Sequence, residues 1–213
     1  CWGSNSHGQL GDGTTTDSST PVSVDVGADR YAVAISGGRY QSCAILDDGS
    51  VKCWGYNGYG GLGDGTYTDS STPSSSVDLG TGRTAVSIAT GYYHSCAILS
   101  DASLKCWGRN YDGQLGDGDT SSSNTPVSVA IESVRSVLAV AAGSGHSCAI
   151  MDNMSVQCWG SNSAGQLGDG TTTDRSTPVT VAALGTDVAE VDLGHFHACA
   201  ETGTSAGFCW GDN

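Results

Sequence analysis

Apolar residues in this chain come in short runs, recurring in a fixed order and separated by glycine, serine, threonine and aspartate. In the first full cycle the runs fall at 22–24, 32–35, 42–46 and 51–54, the first of them just after a Thr-Pro pair. Runs this short, bounded by turn formers and without a 3.6-residue period, have the length of β-strands and not of helices. The pattern predicts four short strands per cycle and almost no helix.

The cycle repeats. Cys-Trp-Gly begins at Cys1, Cys53, Cys106, Cys158 and Cys209, at spacings of 52, 53, 52 and 51 residues. Residues 1–24 and 158–181 agree at 21 of 24 positions, which implies recent duplication of one unit. Residues 1–213 therefore read as one repeat domain, with units near 1–52, 53–105, 106–157 and 158–208, and 209–213 starting a fifth. Four strands per unit is the size of one propeller blade. The predicted fold is an all-β propeller of four-stranded blades, with about four blades in this chain.

Eight of the nine cysteines form pairs ten residues apart: Cys43 with Cys53, Cys96 with Cys106, Cys148 with Cys158 and Cys199 with Cys209. In a β-hairpin centred on Asp48, residues 43 and 53 lie directly opposite, within disulfide reach. The same centring falls on Asp101, Asn153 and Thr204, all turn residues. Disulfides at this density point to an oxidising compartment, so a secreted or cell-surface protein is expected. Cys1 occupies the Cys-Trp slot, and its hairpin partner would lie about ten residues upstream. It is expected to be unpaired, and the chain to be part of a larger molecule.

Charge narrows the partners. Eight basic residues face 22 acidic ones, a formal charge of −14 with no basic cluster, which argues against nucleic acid and anionic membranes. No apolar stretch approaches the 18 residues of a membrane-crossing helix, so no membrane insertion is expected. The sequence lacks the phosphate loop, the nucleophile elbow, the His-Glu-x-x-His zinc motif and the dinucleotide fingerprint, and the chain is read as non-enzymatic.

Binding candidates lie at positions where the units differ. Tyr56, Tyr59 and Tyr67 cluster in one unit and Arg109 and Tyr111 in the next, and aromatic and arginine side chains on loops are typical interface anchors. A calcium reading exists for the recurring carboxylate pairs Asp12 and Asp17, Asp64 and Asp69, and Asp169 and Asp174, beside the simpler one in which aspartate shapes the turn. A zinc reading exists for His195, His197 and Cys199 on one strand face, although Cys199 already has an opposed partner. The five tryptophans, one per unit, suit packing between blades better than a stacking column for ligand. His94, His146 and His197, with Gln41 at the same place in the first unit, suit a hydrogen-bonding position between blades. Asn153-Met154-Ser155 is a formal N-glycosylation acceptor at a hairpin tip.

The Trp-Gly, Asn-x-x-Gly-Gln-Leu-Gly and Pro-x-x-Val landmarks at this period resemble the regulator of chromosome condensation repeat family over the whole chain. The resemblance implies a β-propeller, typically of seven blades, and hence a larger ring or array. Gly61 departs from the glutamine of Gln9, Gln114 and Gln166, and 74–77 departs from 22–24. The resemblance also implies an enzyme-inhibitor role for some members, while the family's nuclear exchange role conflicts with the acid excess and paired cysteines. Two functions are expected to compete: an extracellular module binding protein or glycan through its loops, and a building block that self-associates into a surface fibre, coat or filament. No cofactor other than the calcium considered above is expected. Non-reducing peptide mapping is expected to recover 43–53, 96–106, 148–158 and 199–209 as linked pairs; free thiols at these positions would remove the argument for an oxidising compartment.

Overall fold

The computed structural model describes residues 1–132 and 135–212; Ser133, Val134 and Asn213, which fall within the predicted repeat domain, lie outside the described residues. Strands follow one another in four antiparallel sheets. The first contains β1 (Ala32–Gly37), β2 (Gln41–Leu46) and β3 (Val51–Gly55), and the second β4 (Ala85–Thr90), β5 (His94–Leu99), β6 (Leu104–Gly108) and β7 (Ser123–Ser128). The third contains β8 (Val137–Ala142), β9 (His146–Met151), β10 (Val156–Gly160) and β11 (Arg175–Thr180), and the fourth β12 (Val188–Leu193), β13 (His197–Thr202) and β14 (Gly207–Gly211). A single 3-10 turn, Ala182–Leu184, is the only helical element among the described residues. Strands β1, β4, β8 and β12 pack successively on one another, so the first strand of each sheet lies at the centre of a β-propeller.

Where the sequence predicts strands at 32–35, 42–46 and 51–54, β1, β2 and β3 stand. The run 22–24 forms no strand. Residues 1–3 offer it little to pair with, one bridge joining Gly3 to Ser18 and two bonds joining Val22 to Cys1. Outer strands appear instead as β7 and β11, which begin two to three residues ahead of the Thr-Pro pair. In the first sheet the corresponding segment gives only the Gly55–Ser70 bridge and two further backbone bonds, Ser74 N to Cys53 O and Val77 N to Val51 O. Serines at 74 and 76 there replace the valines that hold the other outer strands against the sheet.

Each middle hairpin has the register that the cysteine spacing requires. Cys43 faces Cys53, Cys96 faces Cys106, Cys148 faces Cys158 and Cys199 faces Cys209. All four pairs are disulfides, with Cα separations of 4.0–4.1 Å. The turns close locally: Asp48 Oδ1 accepts from Ser50 N and Oγ, and Asp101 and Asn153 do the same for Ser103 and Ser155. Cys1 is free and exposed.

Consecutive sheets are joined by a wedge and a node. Trp54, Trp107, Trp159 and Trp210 each donate their indole N–H to a backbone carbonyl of the preceding Gly-x-Leu-Gly loop, at Gln9, Gly61, Gln114 and Gln166, at 2.9–3.0 Å. The indole lies flat on the second loop glycine, where a Cβ on Gly63 or Gly116 would come 2.6 Å from the ring nitrogen. Both glycines also have positive φ, of 70° and 71°. Three of these carbonyls accept a second bond, from Ser42, Ser95 and Ser147 Oγ at 2.8, 3.1 and 3.0 Å. Because the acceptor is backbone, glycine at 61 serves as well as glutamine. Around each wedge a core cluster bridges two sheets, for example Val51, Leu62, Val77, Leu99 and Trp107.

Trp107→Ala is expected to cost about 3–5 kcal/mol, through a cavity and the loss of one of the two bonds to the Gly61 carbonyl. Trp2, 68% exposed, should tolerate the same change within about 0.5 kcal/mol. Urea denaturation of both variants checks the contrast.

Candidate functional site

Two loops of each unit meet on one face of the propeller. One is the turn before the middle strand, occupied by Arg39–Tyr40, Tyr92–Tyr93, Ser144–Gly145 and His195–Phe196; the other follows Trp-Gly and starts at Tyr56, Arg109, Ser161 and Asp212. A backbone bond ties them in every unit: Tyr56, Arg109, Ser161 and Asp212 N–H groups donate to Tyr40, Tyr93, Gly145 and Phe196 carbonyls at 2.8–2.9 Å. The second loop is held from below by a buried asparagine. Asn57 Oδ1 accepts from Leu62 N, while its amide donates to Asp64 Oδ1 and to Thr66; Asn5, Asn110 and Asn162 repeat the pattern with small changes.

What this scaffold presents is a connected field of rings. His7 meets Tyr40 and Tyr56 edge-on, each at 5.0 Å. Tyr93 sits among Tyr40, Tyr56 and Tyr59 at 6.0, 5.5 and 5.2 Å, and Tyr59 reaches Tyr111 at 5.7 Å. From Tyr93 the contacts continue through Tyr92 to His195, 4.7 Å away, and on to Phe196. Arg39 lies over Tyr40 and Tyr92, and Arg109 lies over Tyr111 at 5.3 Å while pairing with Asp112. Burial, followed by the nearby Tyr59 and Asp69, raises the Tyr56 phenol above its ordinary value of 10.0, so it stays a neutral hydrogen-bonding group.

Of the residues singled out in the sequence, Tyr56, Tyr59, Arg109 and Tyr111 come together here. Tyr67 stands apart: it projects from the loop between Asp64 and Asp69, is 55% exposed and takes no part in the ring contacts. Tyr40, Tyr93, Tyr92, His195 and Phe196 are added by the structure. The signal for them was available, since the two positions before Gln41, His94, His146 and His197 vary as freely as those after Trp-Gly.

The recurring aspartates shape their loops at every pair. In the first loop Asp12 Oδ1 accepts from Thr14 N and Oγ1 and from Asn5 Nδ2, and Asp17 Oδ1 accepts from Asn5 N. In the second, Asp64 Oδ1 accepts from Thr66 and Asn57 Nδ2, and Asp69 Oδ1 accepts from Asn57 N. In the fourth unit Asp169 Oδ1 accepts from Thr171 and Asn162 Nδ2, while Asp174 Oδ1 accepts from Asn162 N at 2.7 Å. Asp174 thus fixes the start of its loop, as Asp17 and Asp69 do in theirs. Among the described residues no group of three or more His, Cys, Asp or Glu side chains is arranged to hold a metal ion. His195, His197 and Cys199 do not converge either: His195 stacks on Tyr92 and Cys199 is bonded to Cys209.

Beneath the aromatic face runs the histidine row. Gln41 Nε2 donates to the His94 carbonyl and Ser95 Oγ, and His94 Nε2 lies 2.9 Å from Ser147 Oγ, so the row bonds the first blade to the second and the second to the third. Burial pushes the His94 imidazole down to about 3 and that of His146 to about 4, leaving both neutral at physiological pH.

An all-β propeller of disulfide-stapled blades, with an aromatic face on its variable loops, is the class that fold and site define. The sequence model of the regulator of chromosome condensation (RCC1) repeat matches residues 1–45, 48–98, 104–150 and 155–200, and the chain belongs to that family. A second model of the same repeat matches 32–60, 85–114 and 137–166. The chain is 30% identical over 211 residues to the ultraviolet-B receptor UVR8 of Arabidopsis thaliana, spanning 99% of this chain and 48% of the receptor. It is 33% identical over 202 residues to the human E3 ubiquitin-protein ligase HERC2, spanning 93% of this chain and 4% of the ligase. The solved structure of human WBSCR16 superposes with a TM-score of 0.86 at 25% identity, covering all of this chain and 56% of that one. This chain thus spans about half or less of these relatives.

One carboxylate has a measurable signature. Burial would raise Asp169, whose side chain is 8% exposed, but hydrogen bonds from Thr171, Arg175 and Asn162 outweigh it and hold the group at about 2, below its ordinary 3.8. The stability this supplies is fully present above pH 4 and is lost as pH falls toward 2. Asp169→Asn is expected to lower stability at pH 7 and to flatten the loss between about pH 4 and 2, as followed by denaturation at a series of pH values.

Proposed function

We propose that the chain is a non-catalytic recognition module that binds a protein partner through its aromatic face, outside the reducing cytosol. The observation that carries this is the ring field itself, continuous from His7 to Phe196 and built on positions that the repeat leaves free. Tyrosine and arginine supply large contact area at small entropic cost and dominate interface hot spots. The relatives support the reading in a general way: one is named a receptor and another a ligase, so the shared repeats are not tied to one activity. Four disulfides, three of them between fully buried cysteines, support the oxidising compartment. A glycan is the alternative partner for the same face.

Self-association into a surface fibre or coat is the second reading, favoured by the agreement of 1–24 with 158–181 at 21 of 24 positions. Electron microscopy of the native product separates the two, since filaments would support the building block and discrete rings the module.

A photo-cross-linking residue at Tyr93 is expected to trap one discrete protein partner, whereas the same residue at exposed Thr172, outside the ring field, should not. The double variant Tyr56→Ser with Tyr93→Ser is expected to weaken that partner about tenfold or more, with the melting temperature little changed. Equal trapping from both positions, or unchanged affinity of the double variant, would remove the aromatic face from the reading.

A further inference from the structure

At the centre of this face the innermost turns of all four blades surround an opening of about 410 Å3, lined among others by Gly38, Arg39, Tyr92, Ser144, Gly194 and His195. Its floor is glycine because the buried row lies directly beneath: a Cβ on Gly91 would come 2.5 Å from the His94 ring, and one on Gly143 2.6 Å from that of His146. The opening is thus a consequence of the blade junctions, and its chemistry is left to the walls.

Those walls are electrostatically unlike the rest of the chain. With 22 acidic residues against eight basic ones, carboxylates line the other sizeable clefts among the described residues: Asp101 and Glu132 in one, Glu190, Asp192 and Glu201 in a second, Asp212 in a third, Glu132 again in a fourth. The axial opening has none. Five other arginines are paired with aspartates: Arg30, Arg83, Arg109, Arg135 and Arg175. Arg39 has no carboxylate partner among the described residues. Its guanidinium is held against the rings of Tyr40 and Tyr92 at 4.8 and 4.9 Å. Stacking fixes the plane of the fork and leaves its N–H edge free, the arrangement suited to bidentate capture of a carboxylate. The Ser144 hydroxyl, the Tyr92 phenol and the His195 ring supply further hydrogen-bonding groups at the rim.

We infer that the axial opening is a carboxylate-binding site, centred on Arg39, which receives an acidic side chain or terminal carboxylate of the protein partner. This rests on the reading of the aromatic face as a partner surface and states what the partner must carry. A singly charged carboxylate is favoured over phosphate because every added negative charge must approach a chain of net charge −14.

Acetate, a singly charged carboxylate, is the probe, titrated into the 15N-labelled chain at constant ionic strength set with sodium chloride, with inorganic phosphate as a parallel arm. The expected result is saturable shifts of the Gly38, Gly91, Gly143 and Ser144 amides, weakened about tenfold or more in Arg39→Gln and unchanged in Arg30→Gln, whose arginine pairs with Asp47 and Asp48. Absence of saturation, equal response of Arg39→Gln, or response to phosphate alone overturns the inference. The underlying reading fails separately: a trapped partner insensitive to Arg39→Gln but sensitive to the Tyr56→Ser, Tyr93→Ser double change refutes the carboxylate site alone, and insensitivity to both refutes the face as well.

Discussion

The backbone carbonyl at the second position of each Gly-x-Leu-Gly loop, accepting from an indole of the next blade and, at three of the four junctions, from a serine hydroxyl as well, is the bond on which the architecture turns. Sheets of three or four short strands are marginal alone and need a covered face. The tryptophan covers apolar surface, and its N–H fixes the angle at which that surface meets its neighbour. At the first three junctions a serine one strand away uses the remaining lone pair, and at the fourth Ala198 stands in its place. With four repetitions of this junction, the inner strands are brought round an axis, and every loop that carries function inherits its position from them.

Function is consequently separated from folding within the repeat. Residues of the junction hardly change between units because each touches two blades. Positions immediately before the middle strand and after Trp-Gly carry their side chains outside the junction, so they can be Arg-Tyr in one blade and Ser-Gly in another. The tyrosines concentrate in the first two blades, while the third contributes small residues, giving the face a crowded side and an open one.

Much of this was legible in the sequence. The period, the strands at 32–35, 42–46 and 51–54, and the opposition of Cys43 to Cys53 follow from spacing alone, because a hairpin has only one way to pair residues about a given turn. The outer strand was not, since valine at 22 and 24 marks where the chain packs on a core and not where it hydrogen-bonds; β7 and β11 begin upstream, in polar segments. The site was half legible. Tyr56, Tyr59, Arg109 and Tyr111 were identified as variable aromatics and arginines on loops, whereas Tyr40 and Tyr93 lie next to the buried Gln41 and His94 and were masked by that more regular signal. Tyr67 satisfied the same criterion and points elsewhere, because loop membership does not tell direction. The recurrence of Asp17, Asp69 and Asp174 was equally visible, but whether a repeated carboxylate meets a cation or the backbone of its own loop depends on which N–H groups the fold turns toward it.

The staples have a topological consequence. Each disulfide closes a hairpin whose two cysteines belong to successive sequence units, the first near the end of one and the second opening the next. The covalent links therefore run across the tips at Asp48, Asp101, Asn153 and Thr204, the exposed turns where a protease would first cut. A chain clipped at all four tips would fall into five peptides by backbone count and yet remain one molecule, with every blade junction still tethered on both sides of the break.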